Sequence, residues 1–65
     1  MARWEYSTVK VKAKGFLGGK IDEKDLDAAL NNAGREGWEL AAAPALSRAY
    51  GQTVEVVLIF KRPGR

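Results

Sequence analysis

Residues able to do chemistry are few in this chain, and their types already exclude much. Its 65 residues include no histidine and no cysteine. Zinc, haem and copper sites of the usual kinds lose their ligands, and no disulfide can form. No nucleophile-base pair is recognisable. What remains is three glutamates at strand positions (Glu5, Glu39 and Glu55), lysines at alternate positions (Lys10, Lys12 and Lys14), and a glycine-rich loop ending in Lys20. Two facing carboxylates could do acid-base work. Nothing supplies a nucleophile, a metal or a cleft, so cross-strand pairs with lysine or arginine are the simpler use of the glutamates. The chain is expected to be no enzyme, with no metal and no cofactor.

The loop GFLGGK, residues 15–20, stands before a helix, where backbone amides and the helix dipole can hold an anion. A phosphate loop, however, runs Gly-Lys-Ser/Thr directly into its helix. Here Lys20 is followed by Ile21 and Asp22, and the acidic first turn of Asp22, Glu23 and Asp25 repels phosphate. A structural turn is the preferred reading. The competing anion site would draw on Lys10, Lys12, Lys20 and Arg48. Lys10, Lys12 and Lys14, with Lys61 and Arg62 beside them, also make a basic strip. Net charge is only +3, well short of a dense nucleic-acid footprint. Lysines on an edge strand have a plainer use, since they discourage aggregation. Trp4, Tyr6 and Trp38 are assigned to the core rather than to base stacking.

The elements that position these residues follow from periodicity and punctuation. Residues 4–13 read as a first strand. Trp4, Tyr6 and Thr8 share one parity, and Val9, Val11 and Ala13 share the other. Either both faces are covered or a bulge shifts the phase near Ser7 to Val9. Asp22 is a good helix N-cap, and Ile21 and Leu26 suit a hydrophobic staple across it. Leu26, Ala29, Leu30 and Ala33 repeat at helical spacing. Gly37 sits where a left-handed C-cap is needed, with Trp38 reaching back over Ala33.

Residues 38–46 read as a second strand, an edge strand or one broken at Pro44, which cannot donate a ladder bond. Residues 53–62 read as the third strand and the most apolar. Val54, Val56, Leu58 and Phe60 fill one face, while Val57 and Ile59 make the other apolar as well. The expected fold is α+β, β-α-β-β. It has a three-stranded antiparallel sheet in the order 1-3-2 and one helix packed on one face. The whole chain, 1–65, is one domain, with 63–65 expected to be a disordered tail.

The segments WEY near the start, GFLGGKID before the helix, NNAGREGWEL at its end and VLIFKR near the terminus resemble a family of small bacterial proteins. It is the domain of unknown function numbered 4177 (DUF4177). The resemblance spans nearly the whole chain. It implies a short single-domain protein and supports the boundaries and fold above. It brings no established activity and no catalytic residue.

Size then limits what the fold can do alone. A chain this short buries only about 60% of its unfolded surface. Ordering costs roughly 1.5 kcal/mol per residue, so burial and entropy nearly cancel. Small proteins escape through disulfides, a metal or association, and association is what remains here. Helix on one side leaves Val57 and Ile59 as the expected oligomer interface, by sheets packed face to face or by edges paired. The leading expectation is a non-enzymatic homo-oligomer, cytoplasmic and bacterial, acting through binding or protein interaction. A module sequestering or sensing a small, nucleotide-like anion between protomers comes second, and a weak nucleic-acid binder third. No apolar run approaches the ~20 residues that span a bilayer, so no membrane partner is expected.

Overall fold

The computed structural model describes residues 3–13, 21–47 and 54–64. Lys14 of the basic strip, the loop of residues 15–20, Lys20 with it, and Arg48 lie outside the described residues. The elements are β1 (Trp4–Lys12), α1 (Glu23–Arg35), β2 (Glu39–Ala42), β3 (Ala45–Ser47) and β4 (Val54–Pro63).

The helix forms where its caps allow. Asp22 is extended, and its Oδ1 accepts from the Lys24 amide at 2.9 Å. Glu23 and Asp25 place negative charge in the first turn, at the positive end of the dipole. At the other end the Trp38 amide donates to Ala33 O and the Gly37 amide to Gly34 O, both at 3.0 Å. Gly37 has φ +85°. Those two crossed bonds and the left-handed residue make a Schellman motif, which turns the chain directly into β2.

The sheet is antiparallel throughout, with β4 at its centre. β1 pairs one side of β4, and β2 and β3 pair the other. Among the described residues the fold is therefore α+β with one helix and a four-stranded sheet, which corrects the expected three strands in the order 1-3-2. The expected second strand is two short ones. The register shifts between Leu40 and Ala42, and Pro44 has no amide hydrogen to carry the ladder on. Its carbonyl still accepts from the Val57 amide at 2.9 Å, which holds both pieces along β4.

The β1–β4 ladder runs without a shift from Trp4↔Pro63 to Lys12↔Glu55. The bulge allowed for near Ser7 to Val9 is absent, and the mixed parity of β1 instead marks a strand apolar toward both faces. The ladder also reaches past Arg62. Pro63 pairs with Trp4, and the Gly64 amide donates to Arg3 O at 2.8 Å. Pro63 is thus the last residue of β4 and Gly64 is bonded to Arg3 beyond it, while Arg65, the end of the expected disordered tail, lies outside the described residues.

Directly opposed residues in a ladder share a face. One face holds the core: Val11, Leu58 and Phe60 are buried, and Leu26, Ala29, Leu30, Ala33 and Trp38 pack on them. Only three side chains in the described structure are buried, which is a small core for any independent domain. Among the described residues no helix is long and apolar enough to cross a membrane.

Candidate interaction surface

Among the described residues, no helix lies on the second face of the sheet. Alternation puts Trp4, Tyr6, Thr8, Lys10 and Lys12 of β1 on it, in register with Pro63, Lys61, Ile59, Val57 and Glu55 of β4. From the far side come Glu39 opposite Lys61, Ala42 opposite Ile59, and Leu46 opposite Glu55. Val57 and Ile59 lie half-buried along the middle. Around them Trp4 is 46% exposed, Tyr6 63% and Leu46 53%. Trp4, Tyr6 and Leu46 thus gather on this surface, while the two other exposed large apolar residues of the described structure, Val9 at 38% and Leu40 at 43%, lie on the helix-bearing face opposite Leu58 and Phe60.

Trp4 and Tyr6 are therefore surface residues, which corrects their assignment to the core. Their parity is opposite to that of Val11, the strand's buried residue, so the helix cannot reach them. Trp38 does pack on the core. Period-two counting outward from Val57 and Ile59 finds Trp4 and Tyr6 once the register with β4 is known.

The charged residues of this face sit across from one another. Glu39 is opposite Lys61 and Glu55 is opposite Lys12. Lys61 Nζ also lies 4.6 Å from the centroid of the Trp4 ring. On the helix side Arg62 Nε donates to Glu5 Oε1 at 2.6 Å. All three strand glutamates thus have a basic residue in register, and none of them faces another carboxylate. Lys10 and Lys12 are both exposed on β1, an edge strand. Lys61 and Arg62 fall on opposite faces, so the basic strip is not continuous.

Arg62 has a structural role that single-residue patterns do not reveal. Its guanidinium lies 4.0 Å from the Trp38 ring centroid, and Nη1 donates to Glu36 O at 2.7 Å. Glu36 is the C-cap of α1, so a cation sits at the negative end of the helix dipole. One side chain joins β1, β4 and the helix end.

A cavity of about 720 Å³ lies between α1 and β1. Val11, Ala29, Ala33 and Phe60 form apolar wall, and Lys10, Lys12, Asp25, Asn32 and Glu36 also line it. Among the described residues no group of three or more acidic, histidine or cysteine side chains could hold a metal ion.

The family model described as "Domain of unknown function (DUF4177)" matches residues 4–63 of this chain. In comparisons with curated proteins and with solved structures, nothing matches.

Proposed function

The chain belongs to the DUF4177 family, and on that premise we propose that it is a small self-associating domain that acts by binding rather than by catalysis. The observation that carries this reading is the uncovered sheet face, with Val57 and Ile59 at its centre and Trp4, Tyr6 and Leu46 around them. Burying apolar surface yields about 25 cal/mol per Å², and a core of three buried side chains among the described residues supports a need for that contribution. The absence of histidine and cysteine supports binding over catalysis. The proposal extends to a bacterial setting, on the strength of the sequence resemblance, and to the cytoplasm as the default for a sequence with no apolar run of the ~20 residues that span a bilayer.

Sedimentation velocity at micromolar concentration tests it. The wild type sediments as an oligomer. Val57→Lys or Ile59→Lys dissociates it, because an ammonium group in an apolar interface loses its hydration without a partner. Circular dichroism shows whether the separated chain stays folded, since association and stability are linked. A wild type that sediments as a folded monomer sinks the proposal.

A small-ligand module is the second reading, favoured by the cavity beside α1, which Lys10 and Lys12 border along the β1 edge although alternation places them on the other face of the sheet. Asp25 and Glu36 line the same cavity and oppose an anion there. A nucleic-acid role has less support, because acidic residues interrupt the basic strip in register.

A further inference from the structure

We infer that the occupant of the open face is a second copy of this chain, stacked face to face about a two-fold axis that sets Glu55 of each copy against the partner's Lys61. This deepens the self-association proposed above and rests on it.

The argument begins with the central strand. On its open face β4 presents Glu55, Val57, Ile59 and Lys61 at alternate positions. That stripe is complementary to its own reverse. Turn a copy over so that the two β4 strands run in opposite directions, centred at Leu58. Val57 then meets the partner's Ile59, and each end sets an acid on a base. On β1 the same operation brings Lys12 over the partner's Tyr6, a cation against an aromatic ring. The alternative, with the two β4 strands running the same way, sets Glu55 on the partner's Glu55 and Lys61 on the partner's Lys61. Like charges across an interface disfavour that arrangement.

The edges argue against the other mode of sheet association. A second copy could add to an exposed edge only along unpaired, regular strand. The β1 edge carries Lys10 and Lys12. The opposite edge is divided between β2 and β3, with a register shift inside β2 and Pro44 between the two strands. Lysines, irregular register and proline are the devices that keep edges from pairing. The β4 stripe of the face, by contrast, is apolar at its centre and charged at its ends. Two such faces stack about 10 Å apart with their strands nearly aligned. A two-fold contact uses the same patch on both copies and closes as a dimer.

The charges also have neighbours within the chain. Lys12 stands across from Glu55, and Lys61 lies over Trp4. Stacking therefore adds contacts to charges already placed.

The test uses two charge reversals, Glu55→Lys and Lys61→Glu, by sedimentation equilibrium, each alone and then mixed one to one. Alone, each variant sets like charges together twice per dimer, and its dissociation constant rises about tenfold or more. Mixed, one copy carries Lys at both positions and the other Glu at both, so every contact is again a pair of opposites. A one-to-one heterodimer of near wild-type affinity is expected, with circular dichroism recorded in each state to follow folding. Variants that dimerise alone as tightly as the wild type overturn the inference, as does a mixture that fails to recover association. Either result leaves self-association itself standing when the wild type is a dimer. A monomeric wild type removes both.

Discussion

The Arg62 guanidinium lies 4.0 Å from the centroid of the Trp38 ring, and this contact fastens the end of the helix to the sheet. Trp38 is the first residue past the left-handed Gly37, so its position is set by how α1 stops. Arg62 comes from the central strand. Their stacking, the bond to Glu36 O and the ion pair with Glu5 make one joint from three elements.

Arg62→Ala should destabilise the fold by about 1 to 2 kcal/mol, read from urea unfolding. The Glu5 pair contributes little of this, because its side chains are 35% and 50% exposed and solvent weakens such pairs. Stacking and the charge-assisted bond to the helix C-cap carry the rest. Arg62→Lys keeps the charge but loses the planar group that covers the indole, and it should recover less than half the loss. A lysine variant as stable as the wild type would show that charge alone matters.

The same helix end yields a paired prediction from two glycines. Gly37 has φ +85°, so Gly37→Ala should cost about 1 kcal/mol through backbone conformation. Gly34 lies within α1, and a Cβ there meets nothing within 4 Å. Gly34→Ala should therefore stabilise by about 0.5 to 1 kcal/mol, by helix propensity and a less flexible unfolded chain. Thermal unfolding of both variants checks the signs. Equal effects at the two positions would remove the Schellman account of the helix end.

These two ends of the helix were legible in the sequence because their causes are local. Asp22 caps by reaching an amide two residues on, and Gly37 is needed by its own φ. The central place of β4 was legible too, since Val57 and Ile59 make a strand apolar on both sides. Trp4 and Tyr6 were not, because their face depends on the register with residues 61 and 63, far along the chain. Nor was the role of Arg62, whose partners come from the docking of helix on sheet. Pro44 announced a break in the second strand, but its carbonyl bond to Val57 needed the fold. Of the residues named for an anion site, Lys10 and Lys12 fall on one edge strand, while Lys20 and Arg48 lie outside the described residues.

Lys10 and Lys12 separate two accounts of the basic residues. If they guard the β1 edge, Lys10→Thr with Lys12→Thr should leave secondary structure intact, since threonine suits a strand. Stability should change by about 1 kcal/mol or less, the loss coming from the place of Lys12 across from Glu55 and over the aromatic ring proposed across the dimer. Aggregation should rise, because the edge then lacks its charges. The double variant also lowers net charge from +3 to +1, as 3 − 2 = 1, and lower charge by itself favours precipitation. Lys24→Ala with Arg35→Ala removes the same charge from exposed positions of α1 and serves as the control. Light scattering at matched concentration should show the strand variant aggregating faster than the helix variant. The anion account expects something different: nucleotides at low salt should raise the melting temperature of the wild type and not of the strand variant. Equal aggregation of the two variants, together with that ligand response, would move the assignment of these lysines from edge protection to ligand binding.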